Sequence, residues 1–494
     1  MNAKTVLVLV LVSAFVFAGC LSGTENTDKA QQGSRSAKRV TAAGGFVGET
    51  WASSVDVNRT PKPEHDFSKD IDPTHNGVPG LHAVRALHTG SHNIKLAGFD
   101  PLVAKRNPGA HDTGFVAIDT WGDLDNKTHL ACVTHFVGNG GVDIVDITDP
   151  KKPVMLSFID SGMLNSDCQF TDDGKYLFLG SYLGANVGQG QFREMFRQVP
   201  VPGLYDVLAS GISAWDVTDK KAPKYINFWE TGDFHNLFTV TIDGVYYVTQ
   251  TYSRFIYKFD PASGGKLTKV GETKAMQHDM TVTRHPVTGD WYLITGKGGG
   301  TAFYLFNDPT QPIEVGEWAA QKGATGWHEQ EAIPQLVNGR ALVVVAGETG
   351  GGNTLPYAIL DWTDPANPFM LSTWTLPGNP SSNPPHFYNF SPHEIYTWNG
   401  YVAVANYHAG VWVFDVGSEE RMNAPVTIGY YLPHEEPAMY GAPHNPPFAF
   451  NPDVWGAYFD DRGYIVTADW GSGLYILEMP ATNTWMPPNA ISHN

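Results

Sequence analysis

The chain has 494 residues, a formal net charge of −18 at pH 7 and an aromatic content of 12%. Its acidity, with no basic stripe anywhere along it, excludes a protein that tracks nucleic-acid phosphates, because that task needs a clustered basic face. The 52 glycines and the high aromatic share suit a large β-rich protein with many turns.

Residues 1–20 read as a targeting segment. Lys4 supplies the positive start, and Val6 to Phe17 is an apolar run too short for a comfortable membrane span. The run ends Phe17-Ala18-Gly19-Cys20, which resembles a prokaryotic lipobox. That resemblance implies cleavage before Cys20, lipidation of its sulfur, and an exported chain tied to a membrane through an N-terminal lipid, at the cell surface or the periplasmic face. The other reading is an ordinary secretory signal with an incidental cysteine; both export the chain. Residues 21–45 are rich in Ser, Thr, Gly, Lys and Gln and read as a flexible tether. Residues 46–92 carry scattered Pro, Asp and His and show no regular pattern.

From there a unit recurs. Gly141-Val-Asp-Ile-Val-Asp-Ile-Thr-Asp-Pro150 is an alternating β-branched strand closed by a turn, and Val154 to Asp160 follows as a second strand. Further copies are Gly211 to Asp219, Phe255 to Pro261, Ala302 to Pro309, Tyr357 to Pro365, Gly410 to Asp415 and Gly473 to Glu478. The polar residues aligned at the strand ends are Asp146, Asp216, Asp260, Asn307, Asp361, Asp415 and Glu478. A period of about 45 residues with insertions, and two more strands before each copy, is the arithmetic of a β-propeller. The longest insertion, about Gly184 to Leu208, contains an amphipathic helical candidate, Gln191 to Gln198. Asn399-Gly400 is a hairpin signal between Ile395–Trp398 and Tyr401–Val404. The seventh unit lacks its fourth strand, and Asn93 to Asp100, which is similar to Val154 to Asp160, is the segment expected to close the ring. The expectation is an all-β, seven-bladed propeller of four-stranded blades over residues 93–480, with 481–494 as a tail.

Val142 to Pro150 with Pro153, and the copies at Gly211 to Pro223 and Ala358 to Pro368, resemble the repeat of LVIVD-repeat proteins. The third, sixth and seventh copies keep the apolar–acid core and lose Thr-Asp-Pro. The resemblance covers about residues 93–480 and implies a surface or exported propeller. It implies no catalytic residue, because the repeat is a strand-and-turn device and one fold hosts many functions.

Chemistry therefore has to come from what the repeats share besides strands. A His beside an acid or amide begins each innermost strand of blades three to six: His235-Asn236, His278-Asp279, His328-Glu329 and His393-Glu394. His111-Asp112 is a further pair near blade one; blade two has Ser166-Asp167, and blade seven has Val454-Trp455 with His444-Asn445 in the loop before it. Innermost strands line the central channel, so these positions converge at one mouth, with either the His set or the acidic set facing the axis. Loops opening on the same face add His135, His408 and two glycine-rich runs, Gly296-Lys-Gly-Gly-Gly300 and Gly347 with Gly350-Gly-Gly352. One reading is a metal held by His235, His278, His328 and His393, with Asp279, Glu329, Glu394, His111 and Asp167 as outer-shell or channel groups; neutral imidazoles suit Zn, Cu, Fe or Ni. In outline this resembles the iron site of carotenoid-cleaving propellers, whose other motifs are absent. The other reading is hydrogen-bond wiring between blades.

The function expected is binding of a ligand or protein partner at the His-rich mouth, with a multi-His metal-dependent enzyme, an oxidoreductase using Cu, Fe or Zn, as the alternative. Gly296-Lys-Gly-Gly-Gly-Thr301 lacks P-loop spacing, and no Gly-x-Ser-x-Gly elbow is present. Cys132 and Cys168 are expected on neighbouring blades, either as a disulfide or as two buried thiols.

Overall fold

The structure, a computed structural model, describes residues 65–67, 90–102, 115–123, 127–135, 141–161, 163–182, 210–232, 235–251, 253–274, 278–348, 354–378, 390–433, 454–470 and 472–479. The lipobox-like junction, the segment read as a tether, His111-Asp112, the 184–208 insertion with its helical candidate, His444-Asn445, Gly350–Gly352 and the segment read as a tail lie outside these residues.

Seven antiparallel sheets form seven blades, each meandering from an inner to an outer strand. Blade one comprises Phe115–Asp123, Thr128–His135, Val142–Asp146 and Val154–Ile159. Blade two comprises Leu164–Phe170, Tyr176–Tyr182, Ser210–Asp216 and Lys224–Glu230. Blade three is Leu237–Ile242, Val245–Gln250, Phe255–Asp260 and Lys266–Glu272; blade four is Met280–Arg284, Trp291–Lys297, Gly300–Leu305 and Ile313–Trp318. Blade five is Glu329–Ala332, Leu342–Ala346, Tyr357–Asp361 and Phe369–Trp374; blade six is Ile395–Trp398, Tyr401–Ala405, Val411–Asp415 and Val426–Leu432. Blade seven has Val454–Phe459, Ile465–Asp469 and Gly473–Glu478, and its fourth strand is the N-terminal Lys95–Asp100, paired antiparallel to Gly473–Glu478. The expected closure is therefore present. The chain arrives there from blade six, where Gly90–His92, in the segment expected to be irregular, adds a fifth, outer strand. Asn93, at φ 57°, makes the step between the two blades, and its side-chain amide donates to the Ile428 carbonyl at 2.9 Å.

Second and third strands are sandwiched between blades, so they read as continuous apolar runs such as Leu342–Ala346 and Val411–Asp415, buried throughout. Outer strands alternate between partial burial and exposure, as in Lys224–Glu230. Among the described residues, a buried apolar cluster lies at each blade–blade interface, including the interface of blade seven with blade one. Asn399-Gly400 has φ of 49° and 75°, as the predicted two-residue hairpin requires, and Asp243-Gly244 repeats it at 50° and 74°.

The repeat's meaning is visible in the hydrogen bonds. Asp146, Asp216 and Asp361 each accept the backbone N–H two residues on, at 2.9 Å, so the strand-end acid is a turn residue. The threonine of the turn then caps the second strand: Thr148 accepts from the His129 N–H and Thr363 from the Ala341 N–H. In blade four Asn307 does that same job, accepting from the Trp291 N–H at 2.7 Å. Register confirms the shift, since Leu305 opposite Ile313 stands where Asp361 stands opposite Phe369. The sequence alignment of Asn307 with the strand-end acids is thus two residues out, and blade four has no acid there.

Each fourth strand carries a bulge, and in blades one, three, four, five and seven the residue after it is a Gly or Ser that faces the next blade's turn. A Cβ at Gly98, Gly271 or Gly316 would overlap the carbonyl oxygen of Pro150, Pro309 or Pro365 respectively. In blade one the place is taken by Ser157, whose hydroxyl donates to the Lys220 carbonyl at 2.7 Å, and in blade five by Ser372, which donates to the Met422 carbonyl at 2.6 Å. The turn of one blade therefore docks into a notch in the preceding one. Cys132 and Cys168 are two free thiols, buried side by side in the interface of blades one and two. Among the described residues no helix is long and apolar enough to cross a membrane.

Candidate functional site

Each first strand contacts the first strand of the next blade, and that of blade seven contacts that of blade one, so the seven form a closed inner ring. His235, His278 and His393 stand just before the first strands of blades three, four and six, and His328 stands just before that of blade five. Their backbone is partly committed crosswise: the Asp279 N–H donates to the His328 carbonyl at 2.7 Å, and the Glu394 N–H to the Trp455 carbonyl at 3.3 Å.

The four imidazoles meet in succession. Ring centroids are 4.9 Å apart for His235 and His278, 4.0 Å for His278 and His328, and 4.7 Å for His328 and His393. All four are buried, His328 completely. The acidic neighbours do not turn away from them. Asp279 Oδ2 is 3.1 Å from His278 Nδ1 and 3.8 Å from His328 Nδ1. The expectation that only one set faces inward does not hold, because the histidines precede the ladder, and strict side-chain alternation applies only within a strand.

A carboxylate that the sequence reading did not single out completes the group. Glu348, buried in the loop after the second strand of blade five, places Oε2 3.2 Å from His328 Nε2 and Oε1 3.9 Å from His393 Nε2. Tyr407, from the equivalent loop of blade six, donates its hydroxyl to Glu348 Oε1 and packs its ring 5.0 Å from His393. The sequence signals were adjacent to those already noticed: Glu348 follows Gly347, and Tyr407 precedes His408. His408 itself is half-buried in that turn. His135 is buried in blade one, with Nε2 hydrogen-bonded to Asp143 Oδ2 at 2.8 Å within its own blade.

His393 Nδ1 donates to the Trp455 carbonyl at 2.7 Å, which ties blade six to blade seven and fixes the tautomer that leaves Nε2 with its lone pair. Wiring and ligation are thus compatible in one ring. His328 differs: neither of its ring nitrogens makes a hydrogen bond, although the side chain is fully buried. An unsatisfied buried polar group costs about 1–3 kcal/mol, so a ring with two such atoms asks for an explanation.

Blade two contributes no imidazole. Ser166 donates to the His235 carbonyl, while Asp167 accepts the Cys168 and Leu237 N–H groups, each at 2.8 Å. Blade seven presents Trp455, 5.2 Å from His393, and Gly456, where a side chain would collide with the Glu394 carboxylate. Glu394 also accepts from the Tyr458 hydroxyl at 2.8 Å.

Burial sets the charge states. It pushes His235 and His328 well below the usual imidazole range, and His393 down to about 4. Burial acts on His278 too, but the adjoining Asp279 carboxylate outweighs it and raises that ring; Asp279, despite burial, is held far below its ordinary value by His278. Burial raises Glu348, and raises Glu329 and Glu394 strongly, with the Asp279 charge adding to both. Three of the four imidazoles are therefore neutral at pH 7, the form that binds metals.

Among the described residues, two inner groups have ligand atoms within 4.8 Å of one another: His278, His328 and Glu348, and Asp279, His328 and Glu329. A third, His129, Asp460 and Asp461, meets the same distance test between blades one and seven. There Arg462 bonds Asp460 at 2.6 Å and also donates to the Ile147 and Thr148 carbonyls, so a cation already fills that position as a blade clasp.

No family model and no curated protein matches the chain. Solved structures are similar at low identity. A functionally unknown protein from Desulfotomaculum acetoxidans is 11% identical, with 64% of this chain and 84% of that one covered and a TM-score of 0.42. Sqt1 from Saccharomyces cerevisiae is 12% identical over 74% and 82%, with a TM-score of 0.42. A catalytically inactive virginiamycin B lyase from Staphylococcus aureus, with quinupristin, is 12% identical over 78% and 99%, with a TM-score of 0.44. The seven-bladed fold rests on the chain's own sheets.

Proposed function

We propose that the cluster on the propeller axis is a metal centre, with His278, His328 and Glu348 as its core and the Nε2 of His393 and the ring of His235 adjoining. The observation that carries this is His328: completely buried, without a hydrogen bond at either nitrogen, and 3.2 Å from a buried carboxylate. A nitrogen-rich set with one carboxylate suits Cu, Fe or Zn. Tyr407 on Glu348, and the backbone carbonyl on His393, are the kind of outer partners that orient ligands. The small-molecule ligand expected at this mouth would then meet the metal, and the reaction class this reading favours is a metal-dependent oxidoreductase.

The chain is further read as an LVIVD-repeat-like propeller, exported and held to a membrane by lipid on Cys20. What supports this is the repeated strand-and-turn sequence and the Phe17-Ala18-Gly19-Cys20 junction. Loss of fatty-acid labelling and of membrane retention in Cys20→Ser tests the anchor.

For the metal, the test is elemental analysis of purified protein against a His278→Ala/His328→Ala double variant. Bound Cu, Fe or Zn that disappears in the variant supports the centre. Wild-type protein that binds none of these ions when dialysed against them refutes it and leaves a metal-free binding mouth.

A further inference from the structure

We infer that His328 bridges two metal ions, so that the axial centre is dinuclear. This rests on the reading of the cluster as a metal centre and extends it. The two inward ligand groups share one residue only. His278, His328 and Glu348 form one; Asp279, His328 and Glu329 form the other. The two nitrogens of His328 are aimed apart: Nε2 lies 3.2 Å from Glu348 Oε2, and Nδ1 lies 3.8 Å from Asp279 Oδ2. Neither makes a hydrogen bond, and the ring is fully buried.

A neutral imidazole carries one N–H and one lone pair. A single ion at Nε2 would use the lone pair and leave the N–H at Nδ1 buried and unpaired, facing carboxylates. A second ion at Nδ1 removes that fault: the ring gives up its N–H proton to solvent and ligates through both nitrogens. The two positions differ in chemistry. The one at Nε2 has two imidazoles and a carboxylate and suits Cu or Zn; the one at Nδ1 has two carboxylates and one imidazole, a harder set suiting Mn, Fe or Zn. Asp279 would serve both, orienting His278 through Nδ1 while offering an oxygen to the second ion.

The experiment loads metal-free full-length protein with Zn(II) for stoichiometry and with Cu(II) for electron paramagnetic resonance. The expected result is two Zn per chain and, with Cu(II), a magnetically coupled pair. Glu329→Gln should keep one ion and give an uncoupled mononuclear Cu(II) signal. Glu348→Gln should also keep one ion, and His328→Ala should abolish coupling. Both Gln variants are isosteric and remove a buried acid, and their circular dichroism and melting temperature are compared with wild type to establish folding. One equivalent in wild type, unaffected by Glu329→Gln and lost in Glu348→Gln, overturns the second position while sparing the first. Two equivalents without magnetic coupling overturn the bridge. No binding in wild type overturns both readings together.

Discussion

Asp167 offers a direct test of how burial governs the inner ring. Its carboxylate accepts two backbone N–H bonds, which favour the ionised form, yet burial pushes it up to about 8, with the Asp279 and Asp119 charges adding. In the unfolded chain the group titrates near 3.8. Between those values the folded chain holds a proton that the unfolded chain has released. Stability is therefore fully present below pH 4 and falls as pH rises towards 8, by about 1.4 kcal/mol per pH unit, or roughly 5 kcal/mol over the window as an upper bound. Asp167→Asn keeps the shape and removes the titration. Its amide nitrogen faces one of the two N–H donors, which costs about 1–3 kcal/mol. At pH 5 the relief, about 1.6 kcal/mol, roughly cancels this cost; at pH 8 the variant should be more stable than wild type by about 2–4 kcal/mol. Urea unfolding of metal-free protein at the two pH values measures the difference. A variant equally destabilised at pH 5 and pH 8 would show that Asp167 is ionised throughout and would refute the reasoning.

Three other outcomes follow from the blades. Gly316→Val, which drives a side chain into the Pro365 carbonyl, should cost about 1–3 kcal/mol in thermal unfolding, and Gly316→Ser should cost less, because Ser157 and Ser372 fill the same notch with a donating hydroxyl. Asn307→Ala should lose about 1 kcal/mol by uncapping the Trp291 N–H, and Asn307→Thr should recover it, as Thr148 and Thr363 do in their blades; equal losses in both would contradict the assignment. A chain starting at Pro101 lacks the closing strand and exposes the edge of Gly473–Glu478, so size-exclusion chromatography should show association. A monomer with an unchanged melting temperature would deny the closure any energetic role.

The architecture was legible because it is local and repeated. A strand with β-branched alternation, a turn of Thr-Asp-Pro and a period near 45 residues each leave a mark within a few positions. The closing strand was legible because the last unit visibly lacked one. Misalignment of Asn307 has a local cause as well: the run Phe306-Asn307-Asp308-Pro309 carries a polar residue at the threonine position and none at the acid position, and sequence similarity slid by two to find one.

The site divides differently. The sequence alone determined that four His–acid or His–amide pairs begin successive inner strands, because the repeat fixes their register. Only the tertiary structure decided that the acids share the interior with the imidazoles, since that depends on backbone lying just outside the ladder. It alone brought in Glu348 and Tyr407, which sit in loops where no periodicity constrains direction. And it alone distinguished the four histidines. His393 is tied to a carbonyl and His278 to a carboxylate, while His328, identical to them in its sequence pattern, is left fully buried with both nitrogens unbonded. Pairing of that kind is set by which groups from other blades arrive within about 3 Å, a distance no single strand encodes.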